Sequence, residues 1–169
     1  MPNNKIVVWA IAILGLLVLG GYYYATSRPG PYLVAKVMAE NHGTTLEIVV
    51  SGEGNGVIKV QLFDDVAPLH VERIVQMAND GAYDGVVFHR VIAGFMAQTG
   101  DVEFGETGGD LSMAGRGGSA YPDLAAEFSD VSFTRGVIGM ARSNSPDSAN
   151  SQFFIMFTDT PNLNGQYTV

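Results

Sequence analysis

Nineteen consecutive residues near the N-terminus, Ile6 to Tyr24 (IVVWAIAILGLLVLGGYYY), carry no charge. Wound as a helix at about 1.5 Å per residue, this run comes close to the roughly 30 Å hydrocarbon core of a bilayer. It reads as a transmembrane helix, with residues 1–5 as a short head. Trp9 near one end and Tyr22, Tyr23 and Tyr24 at the other fit the membrane–water boundary, where amphipathic rings are favoured. The alternatives are a cleaved signal peptide and a buried core helix. A signal's apolar region usually spans about 7 to 15 residues and precedes a small-x-small cleavage site, which Tyr-Tyr-Ala-Thr-Ser does not supply cleanly. The expectation is an uncleaved, single-pass anchor. Lys5 on one side faces Arg28 and Lys36 on the other, so the positive-charge bias is small. The short head favours the N-terminus inside and the domain outside, which in a bacterium means the periplasm.

With that block set aside, the remainder is acidic. Beyond Pro29, seven Lys or Arg stand against all seventeen Asp and Glu, a net charge of −10. Such a domain is a poor partner for nucleic acid or anionic lipid. Cysteine is absent, which is compatible with an oxidising compartment without demonstrating one. No histidine cluster has metal-ligand spacing, so neither a metal nor a cofactor is expected.

Residues 25–43 begin ATSRPGPY and are read as a linker leaving the membrane. The globular domain is expected over 44–169. TTLEIVV and VIKVQLF flank SGEGNG and predict a hairpin, since Ile58, Val60 and Leu62 alternate with Lys59 and Gln61. Pro68 opens a helical stretch in which Val71, Ile74, Val75 and Ala78 recur at i, i+3, i+4 and i+7, with Gly81 as its stop. Asp64 and Asp65 ahead of it suit a helix N-terminus. Short β-like runs follow (VVFHRVI, MAQTG, GVIGMA, SQFFIMF), separated by polar and glycine-rich loops. Many short strands with one helix predict a mainly β, antiparallel barrel or sandwich. Gly115 to Gly118 read as loop glycines rather than a phosphate cradle, because their setting matches neither phosphate-binding motif.

YDGVVFHRVIAGFMAQTGD (83–101) and GVIGMARSNSPDSANSQFFIMF (136–157) resemble the two signature blocks of the cyclophilin family of peptidyl-prolyl cis-trans isomerases. TGG (107–109), AEFSD (126–130), the helical VAPLHVERIVQMANDGAYDG and the terminal LNGQYTV fall in family order around them. The resemblance runs from about Thr44 to Val169 and implies a cyclophilin-like closed antiparallel β-barrel of eight strands, capped by helices. It also implies catalysis of rotation about X–Pro bonds in unfolded or maturing polypeptides. Rotation breaks amide resonance across a barrier of about 18–20 kcal/mol. At the twisted transition state the prolyl nitrogen regains its lone pair, so a donor aimed there stabilises the transition state above the ground state.

On this resemblance Arg90 is the catalytic arginine, Gln98 holds the substrate carbonyl, and Phe95, Met96, Phe154 and Leu163 form the pocket for the proline ring. Ala141, Arg142, Gln152 and Tyr167 fall where the family binds the flanking peptide and closes the pocket. His89 is expected to be a structural histidine hydrogen-bonded in the barrel, because isomerisation needs no proton transfer. Ser143, Ser145, Ser148 and Ser151 lack the GxSxG setting of a hydrolase nucleophile.

The sequence departs from the family pattern at Asn162, where Trp or Phe is frequent, and at Tyr167, where His is. One pocket wall should therefore be more polar and cyclosporin binding weak, which a binding titration would check. The sequence also stops at Val169 where the family continues into further strands, so an incomplete barrel and reduced stability are expected. The leading function is prolyl isomerisation during folding. The alternative is a proline-binding chaperone or scaffold with little or no turnover.

Overall fold

The computed structural model describes residues 33–40 and 43–169. Seven strands and one α-helix follow in the order β1 (Leu33–Glu40), β2 (Gly43–Val50), β3 (Gly56–Gln61), α1 (Pro68–Asn79), β4 (Arg90–Ile92), β5 (Met96–Thr99), β6 (Ile138–Met140) and β7 (Phe153–Met156). Two single 3-10 turns, Leu111–Met113 and Pro161–Leu163, interrupt the loops. The apolar block 6–24 lies outside the described residues, as does His42. Among the described residues no helix is long and apolar enough to cross a membrane.

The expected hairpin is present: β2 and β3 pair antiparallel from Thr45↔Gln61 to Val50↔Gly56. Its period of two buries Leu46 and Ile48 and leaves Val49 and Val57 on the outer face. Residues 33–40, read above as part of the linker, instead form β1, paired with β2 from Leu33↔Val50 to Glu40↔Gly43. Leu33 and Ala35 point into the core. This i, i+2 burial makes the segment a strand despite its position next to the Pro- and Gly-rich stretch.

Among the described residues the barrel, expected to be incomplete, is not closed. The strands form two separate sheets, ordered β1-β2-β3 and β4-β5-β7-β6, all pairs antiparallel. On one side the sheets meet through the isolated bridges Leu33↔Val86 and Val86↔Glu106. On the other side the edge strands β3 and β6 do not pair; a groove of about 270 Å³ lies between them. Consecutive residues Ile58, Lys59, Val60 and Gln61 line it from β3, and Gly136, Val137 and Ile138 from the β6 side. Successive residues of a strand point to opposite faces, so it is the strand edges that border the groove. Closure requires every edge to find a partner; among the described residues β3 has none on this side, and β6 is met there only by Met140 N–H donating to the Thr168 carbonyl at 2.9 Å.

Helix α1 starts at Pro68, whose missing N–H costs nothing in the first turn. It buries His70, Arg73, Ile74, Met77 and Ala78, and Gly81 follows with φ of +71°. Asp64 and Asp65 do not cap it; Asp64 accepts from the Thr44 hydroxyl instead. The cap comes from Glu127, whose carboxylate accepts the Leu69 and His70 backbone N–H at 3.2 and 3.1 Å and faces His70 Nδ1 at 2.6 Å.

Two apolar clusters result. One joins β1, β2, α1 and the inner face of the second sheet through Leu33, Leu46, Ile48, Met77, Tyr83 and Phe153. Within it the Tyr83 hydroxyl donates to the Ser151 carbonyl at 2.9 Å. The other lies on the opposite face of β7, where Phe154 and Met156 pack with Met96 and Phe133. This second cluster is the floor of the candidate site.

Candidate active site

The second sheet sets one row of residues across all four of its strands. Arg90 on β4 is the register partner of Gln98 on β5, Gln98 of Phe154 on β7, and Phe154 of Gly139 on β6. Directly opposed residues share a face, so a guanidinium, an amide and a phenyl ring stand side by side. The β4–β5 connection turns at Gly94, φ +71°, and Phe95 N–H closes it onto the Ile92 carbonyl. Gly139 is required by its neighbours: a Cβ there would lie 2.5 Å from both Phe133 Cε1 and Phe154 Cζ. Its absence lets those two rings stack at 5.8 Å.

Above this row is a cavity of about 200 Å³ lined by Arg90, Phe95, Met96, Gln98, Ala141, Arg142, Phe154, Leu163 and Tyr167. Nine of the ten site residues predicted from sequence thus border one space. The tenth, Gln152, lines an adjoining groove of about 390 Å³ together with Gln98, Ala141 and Arg142. Met96 and Phe154 are buried, whereas Arg90 is exposed. Phe154 meets the Tyr167 ring edge-on at 5.6 Å. Asn162 does not form a wall; it sits exposed in the second 3-10 turn, outside the lining set.

Among the described residues Arg90 has no carboxylate partner. Its Nη1 lies 3.4 Å from Gln98 Oε1 and 3.9 Å from Met96 Sδ. The guanidinium is therefore held loosely at the rim with most of its five donors free. Arg142 is the opposite case. Its guanidinium stacks on the Tyr167 ring at 4.5 Å, and Nε, Nη1 and Nη2 donate to the Gln166 and Ser143 carbonyls at 2.9 to 3.1 Å. Its side chain braces the wall, leaving Ala141 and its own backbone toward the groove.

Gln98 Nε2 donates to Gln152 Oε1 at 2.9 Å, and Gln152 Nε2 donates to the Gly117 carbonyl at 2.7 Å. Gly117 belongs to the loop of glycines at 115–118, which forms a wall of the groove. The loop is tied down by Asp101, which is fully buried. Asp101 Oδ1 accepts the Glu103 and Phe104 N–H at 3.1 and 2.9 Å; Oδ2 accepts the Gly115 and Gly117 N–H at 2.6 and 3.0 Å. Burial alone would push this carboxyl up; the N–H groups of Phe104, Gly117, Gly115 and Glu103 outweigh it and hold the group below the usual carboxylate range.

His89 is outside the lining set. Contrary to the expectation of a hydrogen-bonded barrel histidine, neither ring nitrogen has a protein partner. Burial lowers its pKa; Asp101 opposes this and Arg90 adds to it. Among the described residues no group of three or more His, Asp or Glu is placed to hold a metal ion. A permanent cation, an amide and an apolar cup can grip a ring and a carbonyl and offer a donor between them, without any proton transfer.

Residues 45–169 match the family described as "Cyclophilin type peptidyl-prolyl cis-trans isomerase/CLD". A protein of Brucella suis described as a probable peptidyl-prolyl cis-trans isomerase is 61% identical over 117 residues, covering 68% of this chain and 60% of that one. This chain therefore spans less than two thirds of that relative's length. A peptidyl-prolyl cis-trans isomerase of Synechococcus elongatus is 38% identical over 113 residues, covering 67% of this chain and 70% of that one. In fold, the chain resembles a Cryptosporidium parvum cyclophilin-type isomerase crystallised in the presence of the dipeptide Ala-Pro: TM-score 0.57, 24% identity, 82% of this chain and 74% of that one.

Proposed function

The chain belongs to the cyclophilin-type peptidyl-prolyl cis-trans isomerase family, and on that premise we propose that it accelerates cis–trans isomerisation of X–Pro bonds in polypeptides. The observation that carries this reading is the juxtaposition of Arg90 and Gln98 over the cup of Phe95, Met96, Phe154 and Leu163.

The cup takes the pyrrolidine ring and fixes one side of the peptide bond. Gln98, whose amide is already oriented by Gln152, holds the substrate carbonyl. As the bond twists, conjugation is lost and the prolyl nitrogen becomes a lone-pair acceptor. Arg90, permanently charged, donates to it at that point and not before, which is the condition for lowering the barrier. Ala141 and the backbone beside the braced Arg142 receive the flanking residues.

The test is isomerisation of a short Xaa-Pro peptide by the full-length chain and by its Arg90→Ala variant, with Ala-Pro as a first binding probe. A wild-type rate above background that collapses in the variant supports the reading. Peptide binding without turnover would replace it with the proline-binding scaffold. We further propose that the uncharged block 6–24, with Trp9 and Tyr22 to Tyr24 at its ends, anchors the domain to a membrane on its extracytoplasmic side. Carbonate extraction and protease accessibility of intact cells test this; release of the full-length chain by carbonate would refute it.

A further inference from the structure

We propose that Asp101, which does not line the cavity, is a positioning residue that sets the orientation of Gln98 through the 115–118 loop and Gln152. The proposal rests on the isomerase reading for its kinetic consequence and on the geometry alone for its structural one.

The links run in one direction. A carboxylate has about four acceptor positions, and those of Asp101 are filled by four backbone N–H groups, two from its own turn and two from a loop up to 16 residues away. The approach is close enough to require glycine. A Cβ on Gly117 would lie 2.5 Å from Asp101 Oδ1 and 2.6 Å from Glu103 Cβ, and Gly115 has φ of +94°. With its N–H held by Asp101, the same residue, Gly117, presents its carbonyl to Gln152 at 2.7 Å.

A carbonyl can be met only by the NH₂ end of an amide. Gln152 Nε2 therefore faces Gly117, and Oε1 is left for Gln98 Nε2 at 2.9 Å. That in turn directs Gln98 Oε1 toward Arg90 Nη1 at 3.4 Å. Reversing Gln152 would set carbonyl against carbonyl at one end and NH₂ against NH₂ at the other. The polarity of the relay, and with it the face that Gln98 offers a substrate, is thus fixed by where the Gly117 carbonyl points. Gln152 is 9% exposed and Asp101 is 0%, so little water competes for the links.

Asp101→Asn keeps the shape but turns an NH₂ toward either the Gly115 and Gly117 or the Glu103 and Phe104 N–H groups. Gly117→Ala pushes the loop off an intact Asp101. Each is expected to lower kcat/KM for an Xaa-Pro peptide about 10- to 100-fold, the scale of an ångström-sized misplacement. The readout that a merely structural role would not move is a double-mutant cycle: Asp101→Asn with Gln152→Ala should lose no more than about twofold beyond the worse single variant. In parallel, the side-chain amide resonances of Gln98 and Gln152 in ¹⁵N–¹H spectra should shift in Asp101→Asn and in Gly117→Ala. Multiplicative losses in the cycle, an unmoved Gln98 amide, or failure of both loop variants to fold would each overturn the proposal. An inactive wild type would remove the isomerase reading, while the amide resonances would still decide whether Asp101 governs Gln98.

Discussion

Arg90 combines exposure, a permanent charge and no carboxylate partner among the described residues. Replacing it should therefore separate activity from stability. Arg90→Ala is expected to lower kcat/KM roughly 10²- to 10³-fold, the typical scale for deleting a donor aimed at transition-state charge. Its thermal midpoint should stay close to wild type, because surface substitutions usually change stability by less than about 0.5 kcal/mol. Arg90→Lys keeps the charge but loses the planar fork and should fall between. Since burial lowers the His89 pKa from its ordinary value of 6.5, its imidazole is predominantly neutral a unit or more above that value, and kcat/KM should be flat from about pH 7.5 to about 8.5. A rate that followed a single protonation in that window would bring His89 back into the chemistry. The pocket residues could be singled out in the sequence only through the family resemblance, since Met96 and Phe154 look like any core residue by pattern. Asp101 and Gly117 were not legible, because their contact joins two loops whose approach depends on tertiary packing.

At the level of elements, local patterning sufficed where burial has a regular period. The β2–β3 hairpin and α1 follow from alternation and from i, i+3, i+4 spacing. The helix cap did not, because Glu127 reaches α1 from 57 and 58 residues away, beyond any local signal. Burial alone would raise the Glu127 carboxyl; its hydrogen bonds from the His70 side chain and the Leu69 and His70 N–H outweigh this and lower it. A depressed acid contributes stability above its unfolded pKa, near 4.5, and loses it as pH falls through the folded value. Glu127→Gln should therefore lower the thermal midpoint at pH 7, by the equivalent of roughly 1 to 3 kcal/mol for charge-assisted bonds. The gap to wild type should narrow below pH 4.5. A pH-independent gap would mean that packing, not charge, makes the cap. Gly139→Ala belongs to the same scale: its Cβ would displace Phe133 or Phe154, so both midpoint and kcat/KM should drop.

At the scale of the whole molecule, the two sheets are, among the described residues, joined at one seam and open at the other, and stability should be distributed accordingly. At the joined seam, Leu33, Val86 and Glu106 exchange bridges, and Val87 N–H bonds the Gly105 carbonyl at 2.8 Å. At the open seam, β3 is paired on one side only among the described residues. The outer side of β6 is met by Met140 N–H donating to the Thr168 carbonyl at 2.9 Å. Amides protected by a partner on one side open at lower cost than those flanked on both, so native-state exchange ranks strands by their place in the sheet. The central strands β2, β5 and β7 should therefore exchange slowest, and β3 fastest among the strands around the groove. The bare β3 edge offers a template for another chain, so light scattering should rise with concentration. Gln61→Lys, which places a charge at an exposed β3 position bordering the groove, should reduce that rise. If β3 amides exchanged as slowly as those of β5 and scattering stayed flat, the open seam would have to be covered in solution. The two-sheet arrangement would then be the wrong description of how this domain holds its site.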